Sequence, residues 1–361
     1  MLNYKIPLIP GPVKIPLKIR EAYLNDFGSA DLEDEFFELY AENQNLIQKL
    51  LHTKNKIVIT SGEAMSILWG ALKSTLKPGN KLLAVSSGIF GEGFADMAES
   101  FGVNSEIVKF NYDEVPEPEK VYNAVKKFRP DVITAVHCET PSGTLTQCLE
   151  EIGNIAREFG ALFIVDFVSS AGGANLNVDK YKIDIGLLGS QKVLSMTSNI
   201  SVTSISPRAW EIIRRVKYSG YDAYSNWEKV PEIKFTPYTH DWHGLKALNI
   251  SLNEIINVEG LENCINRHSQ AAELCRDLGH EIGLKLFPKS EKICSPTVTA
   301  FYVPENLSWE KFNFELRKRG LAVGGNYGIL AGKVFRIGHM GSQADKNLIR
   351  EGMSIIKEVL N

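Results

Sequence analysis

From about Lys54 to Pro207, short and almost wholly apolar runs alternate with amphipathic stretches. No other feature of the sequence constrains the fold as strongly. Lys56–Thr60 (KIVIT), Lys81–Ser86 (KLLAVS), Glu106–Phe110, Asp131–Cys138 (DVITAVHC), Ala161–Phe167 (ALFIVDF), Ile183–Gly189 and Ser201–Ser206 read as strands. Glu63 to about Leu76, Phe94–Phe101, Glu117–Phe128 and Cys148–Phe159 read as helices, with Pro78-Gly79 and Gly160 as breakers. Strands that are apolar throughout need cover on both faces, so the pattern predicts an α/β fold around a largely parallel sheet. The rhythm then changes. Leu248 to Ile282 reads as helix, followed by strands at Pro296–Val303, Leu321–Gly325 and Lys333–Gly338. Helices at Trp309–Arg319 and Ala344–Leu360 accompany them. This predicts a smaller C-terminal α+β domain, with a boundary near Asn249–Gly260. The expected division is an arm over 1–20, a large domain over 21–255 and a small one over 256–361.

Composition narrows the function classes. The chain has 361 residues, 44% hydrophobic and 23% charged, enough for a large core and unlike a disordered chain. Forty Lys+Arg against forty-three Asp+Glu leave a net charge of −3, with no basic excess to neutralise a nucleic-acid backbone. No apolar run approaches the roughly 20 residues of a membrane span. The start, Met1 to Gly11, lacks the apolar core of a signal peptide. Five cysteines without a Cys-x-x-Cys pair argue against a disulfide framework or structural zinc, and for a reducing cytoplasm.

In open α/β sheets, ligands bind beyond the carboxyl ends of the strands. The unusual polar residues collect there. Ser61-Gly62-Glu63 opens a helix, where free N–H groups and a partial positive charge suit an anion. Taken alone, Ser61 as an N-cap with Glu63 in the first turn is the better reading. Asp166 ends a strongly apolar strand and needs a partner, either structural or a buried cationic nitrogen. Lys192 follows the next strand, and a desolvated lysine is a Schiff-base candidate. Arg336 lies inside the apolar run Phe335-Arg336-Ile337-Gly338, where its guanidinium suits a substrate carboxylate or a structural ion pair. Gly91-Glu92-Gly93 lacks the third glycine of a dinucleotide loop, since Asp96 stands there. His240-Asp241-Trp242-His243 has no accompanying cysteine cluster or HExxH motif, so no metal is expected.

Three stretches, in order and spacing, resemble the class V family of pyridoxal-phosphate aminotransferases. They are His137-Cys-Glu-Thr-Pro-Ser-Gly143, Asp166-Phe-Val-Ser-Ser-Ala-Gly-Gly173 and Ser190-Gln-Lys192. The resemblance runs from Pro10-Gly11-Pro12 to Gly338 and is greatest to the alanine–glyoxylate, serine–pyruvate and aminoethylphosphonate aminotransferases. It implies the type I fold of pyridoxal-phosphate transferases, with a mostly parallel seven-stranded sheet. It implies pyridoxal 5′-phosphate on Lys192, with Asp166 at the pyridine nitrogen. Phe90 and Val168 would face the ring, and Thr140 would sit near its phenolic oxygen. Ser61, Gly62, Glu63 and Gln191 would hold the phosphate, aided by Thr239 from a second subunit. Arg336 would bind the substrate carboxylate, with Gly11 lining that side. The implied reaction moves an amino group from alanine or serine to glyoxylate or pyruvate by ping-pong kinetics in a homodimer with shared sites.

Three departures bear on the substrate. Gly28-Ser29-Ala30 replaces the Gly-His-Arg common in relatives. Glu63 replaces Thr or His, and its carboxylate would repel a phosphate. Ser195-Met-Thr-Ser-Asn199 replaces a Pro-Gly turn. The alternatives are an aminophosphonate donor, suggested by Tyr238-Thr239-His240, and a cysteine desulfurase-like lyase with Cys294 as nucleophile. A non-enzymatic role and a nicotinamide dehydrogenase are disfavoured by Lys192 with Asp166 and by the incomplete glycine loop.

Overall fold

The computed structural model describes residues 4–361, so the first three residues of the expected N-terminal arm lie outside the described residues. The strands are β1 (Ile6–Leu8), β2 (Lys56–Ser61), β3 (Lys81–Ser86), β4 (Asn104–Lys109), β5 (Val132–Val136), β6 (Cys138–Glu139) and β7 (Thr144–Leu145). They continue with β8 (Leu162–Asp166), β9 (Ile185–Gly189), β10 (Ile200–Ile205), β11 (Val298–Tyr302), β12 (Leu321–Val323) and β13 (Val334–Gly338). Seven of them form the central sheet, in the order β2-β10-β9-β8-β5-β3-β4. It is parallel except for β10, which runs against both β2 and β9. β5, β8, β9 and β10 are buried along their whole length, as strands covered on both faces must be.

Local chemistry explains most element ends. Helix Leu149–Phe159 stops at Gly160, whose φ of +78° suits the left-handed cap. Helix Pro207–Val216 begins with Pro207 in its first turn and with Ser206 accepting from the Ala209 amide at 3.1 Å. The expected single strand Asp131–Cys138 is split. β5 ends at Val136, and Cys138–Glu139 instead pairs with β7 in a small hairpin. The helix expected from Phe94 starts at Ile89, despite Gly91 and Gly93. The buried Glu139 carboxylate accepts from the first-turn amide of Gly91 at 2.7 Å, a tertiary contact that no local propensity encodes. The 18-residue helix Asp34–Leu51 was not expected, although it buries Phe36, Phe37, Tyr40, Ile47 and Leu50 on one face. Helix Trp242–Asn253 leads into a π-helical stretch, Glu254–Glu259. Gly260, at φ +84°, then separates it from helix Leu261–Glu281.

The C-terminal elements have their own core. Ile6, Leu8, Phe301, Phe312, Leu321, Phe335, Ile337 and Ile349 pack together, apart from the larger core around the sheet. β11 pairs antiparallel with β13. β12 pairs in parallel with β1, so the N-terminal segment crosses to the C-terminal layer. The crossing carries Pro10 and Gly11 past the carboxyl edge of the central sheet. Among the described residues, no helix is long and apolar enough to cross a membrane.

Candidate active site

Lys192 follows β9 and is half-buried. Its Nζ donates to the Pro10 carbonyl at 2.7 Å. Gly11 has φ +91°, and a Cβ there would lie 2.5 Å from Lys192 Cδ and 2.8 Å from Nζ. The backbone therefore favours glycine there, and a side chain would also push against the lysine beneath it. Burial pulls the Lys192 ammonium down to about 8, and the positive charge of Arg336 adds to the effect.

Asp166 ends β8 with 7% of its surface exposed. Its Oδ1 accepts from the Val168 amide at 2.8 Å. Burial raises its carboxyl to about 6, while the Val168 amide and Lys192 pull the other way. His137, before the hairpin, places its Nδ1 2.9 Å from Ser170 Oγ, and burial lowers it to about 4, so it is neutral at pH 7. Thr140 Oγ1 lies 2.5 Å from Ser169 Oγ. Gly11, Phe90, Thr140, Lys192 and Arg336 line one cleft of about 310 Å³, together with Trp309, Arg317 and Tyr327.

Arg336 lies on β13 and is 4% exposed. Its Nε donates to the Gly325 carbonyl at 2.9 Å, with Nη2 on the same oxygen. Its guanidinium stands 5.0 Å from the Tyr327 ring centre. Among the described residues it has no carboxylate partner within ion-pair distance, so the structural ion pair allowed by the sequence is not what the fold builds. The cleft thus holds a buried guanidinium without a countercharge facing a half-buried lysine.

At the other end, Ser61 Oγ accepts from the Asp241 amide at 2.9 Å. The Gly62 amide donates to the Asn199 carbonyl at 2.8 Å, with φ +133° at Gly62. Glu63 caps helix Ala64–Thr75 with its own carboxylate, which accepts from the Met65 amide at 2.9 Å. The same carboxylate accepts from Gln191 Nε2 at 2.9 Å. Gln191 Oε1 is buried and has no partner among the described residues. Thr239 lies beside Ser61 and Ser66 of its own chain, at a small cavity separate from the main cleft.

Sequence reasoning missed Glu139, which was inside the quoted His137–Gly143 stretch, and also Tyr327 and Arg317. A buried acid within an apolar segment was the available signal for Glu139. The set-aside motifs have structural explanations. Gly91-Glu92-Gly93 lies inside a helix. His240 packs against Phe36, Tyr40 and Trp227, with Nε2 3.1 Å from the Ile59 carbonyl. Cys294 is outside the cleft lining, and burial pushes its thiol up to about 11, so it is a poor nucleophile at neutral pH.

A family model described as aminotransferase class-V matches residues 18–332. The chain is 33% identical to an uncharacterized aminotransferase of Methanocaldococcus jannaschii, over 96% of this chain and 90% of that protein. It is 31% identical to the pyridoxamine–pyruvate transaminase of Mesorhizobium japonicum, over 87% of this chain and 81% of that protein. The solved structure of an alanine–glyoxylate aminotransferase from Nostoc sp. superposes with a TM-score of 0.95 at 28% identity, covering 100% of this chain and 96% of that one. With a family model over most of the chain, and relatives and a fold that match over nearly the whole length, this chain belongs to the class-V aminotransferases.

Proposed function

We propose that this aminotransferase holds a pyridoxal-type cofactor on Lys192 and moves an amino group between a small amino acid and a 2-oxo acid. Alanine or serine with glyoxylate or pyruvate are the lead pairs. One observation carries the reading: a half-buried lysine and a buried guanidinium without a carboxylate face each other across one cleft, beside a buried carboxylate at a strand end. The names of the relatives support the acceptor class, because they pair amino donors with glyoxylate or pyruvate.

The ring end of the site fits such a group. Asp166 is a buried carboxylate suited to a pyridinium N–H, and Gly11 keeps the space over Lys192 open. Phe90 and Val168 offer flat and apolar faces, and Thr140 offers a hydroxyl. Ser61, Gly62, Glu63 and Gln191 make up the far end. When bound, the cofactor supplies an aldehyde carbon and an electron-withdrawing ring. Lys192, with its ammonium held near 8, presents a useful share of neutral amine at pH 7.5. The same amine, at Nζ, would serve as the base and acid that takes and returns the substrate α-proton. Arg336 receives the α-carboxylate through two parallel hydrogen bonds, which orients the bond to be broken. Tyr327 and the Gly325 carbonyl hold that guanidinium in place.

The proposal takes residues 21–255 as the cofactor-holding domain and 256–361 as the one that carries Arg336. It also includes a cytoplasmic homodimer with shared sites, in which Thr239 serves the neighbouring subunit. Sedimentation would test the dimer, with a monomer at micromolar concentration as the contrary result. The reaction is tested by incubating protein, cofactor, L-alanine and glyoxylate and measuring pyruvate and glycine. The two products should appear in equal amounts, and Lys192→Ala should abolish both. Failure across a panel of small donors and 2-oxo acids would overturn the proposal.

A further inference from the structure

We propose that the site takes the phosphate-free pyridine ligand, pyridoxal or pyridoxamine, in preference to its 5′-phosphate, with Glu63 and Gln191 as the specificity-determining pair. The inference rests on the Lys192 reading above and concerns the opposite end of the same ligand.

A phosphate at this helix start would need free donors and a tolerant charge environment. Several of these donors are in use, though among the described residues the Glu63 and Ala64 amides are not. The Gly62 amide is bound to the Asn199 carbonyl, the Met65 amide to the Glu63 carboxylate and the Ser66 amide to the Glu63 carbonyl. Gln191 Nε2 is bound to Glu63 as well. The charge is also wrong. A phosphate monoester carries about −1.5 to −2 at neutral pH, and it would stand against the Glu63 carboxylate. Among the described residues, Glu63 has no cationic partner that would offset the repulsion. Asp241, whose amide holds Ser61, adds a second acidic residue to the neighbourhood.

What remains unsatisfied is an acceptor. Gln191 is 6% exposed, and its Oε1 is buried without a partner, near Ala64 and Val168. Turning the amide over would free Nε2 only by setting Oε1 against the Glu63 carboxylate, and both are acceptors. Two acceptors, one charged and one orphaned, call for a ligand that donates. A phosphate dianion has no proton to give. The 5′-hydroxymethyl of pyridoxal or pyridoxamine has one, and it leaves the carboxylate without a like charge against it.

Without a phosphate anchor, the ligand exchanges freely and becomes a second substrate. The overall exchange balances without any other reactant. The C–N bond of the aminomethyl group breaks and the nitrogen is joined to the keto carbon of a 2-oxo acid. The oxo oxygen is lost as water, and water supplies the new aldehyde oxygen. Two electrons and a proton pass from the aminomethyl carbon to the former keto carbon, with Lys192 as proton carrier.

The test is a titration of the dialysed, full-length protein with pyridoxal and separately with its 5′-phosphate. Visible absorbance and borohydride trapping on Lys192 report binding without turnover. Pyridoxal should bind at least about tenfold more tightly than its phosphate. Glu63→Thr should shift that ratio by about 100-fold towards the phosphate. Glu63→Gln keeps a capping oxygen and should shift it in the same direction, which covers the case of a poorly folded threonine variant. Tighter binding of the phosphate by the wild type, or a ratio unmoved by both substitutions, overturns the preference alone. Failure of both ligands to form a trappable adduct on Lys192 overturns the aminotransferase site reading and this inference with it.

Discussion

Replacing Asp166 by asparagine should stabilise the ligand-free protein while disabling the site. The carboxyl is 7% exposed, and burial raises it from 3.8 to about 6. A folded-state value above the unfolded one means that the fold prefers the protonated form. The penalty is absent below the unfolded value, grows through the window from about 4 to 6, and is fully present above it. A shift of this size amounts to about 3 kcal/mol at pH 7.5 and about 1.5 kcal/mol at pH 5. Asp166→Asn removes the charge and keeps an oxygen for the Val168 amide. The ligand-free variant should therefore gain about 1–3 kcal/mol at pH 7.5 and markedly less at pH 5. Urea unfolding followed by tryptophan fluorescence at both pH values measures this, with midpoints compared at equal slope. A variant that is no more stable at pH 7.5, or whose gain is the same at both pH values, would refute the reasoning. Its turnover should fall to a small fraction of wild type, since a neutral amide does not hold a ring nitrogen protonated.

Other consequences follow from the same geometry. Arg336→Gln removes the two-pronged carboxylate contact and should lower kcat/KM by roughly 30- to 150-fold, about 2–3 kcal/mol, while cofactor affinity stays within a factor of about two. Steady-state kinetics with alanine checks it, and an unchanged kcat/KM would remove Arg336 from the substrate site. The rate at which ligand-free protein captures an added aldehyde should rise with pH and level off above about 8, because burial holds the Lys192 ammonium there. A stopped-flow rate still climbing at pH 10 would contradict that. Asp184 is a structural control at the far end of the sheet. It accepts from the Phe163 amide at 3.0 Å, Ser206 Oγ at 2.9 Å, Arg157 at 3.2 Å and Arg208 at 3.0 Å. Asp184→Ala should cost about 3 kcal/mol in unfolding experiments and leave ligand affinity unchanged.

The sheet was legible because its strands are apolar on both faces, a pattern that survives without neighbours. Lys192 and Asp166 were legible because charged residues at the ends of such strands need a reason to be there. The N-terminal strand Ile6–Leu8 was not, because its partner Leu321–Val323 lies more than 300 residues away and its own sequence holds a proline. The first turn of helix Ile89–Glu99 was hidden for a similar reason, since its glycines are offset by Glu139 from another strand end. The Asp34–Leu51 helix carried a usable apolar stripe that was passed over. Glu63 was seen as out of place beside a phosphate. Its link to Gln191 and the orphaned amide oxygen needed coordinates, because they join residues 128 positions apart.

The central claim is that Lys192 carries the aldehyde through which amino groups pass. The most direct test is the visible spectrum of the protein loaded with pyridoxal or its phosphate, first alone, then with L-alanine, then with glyoxylate. Borohydride reduction and mass mapping follow on the first state. A visible band should fade with the amino acid and return with the oxo acid, and the reduced adduct should lie at Lys192. A protein that stays colourless with both forms, or an adduct on a different lysine, would contradict it.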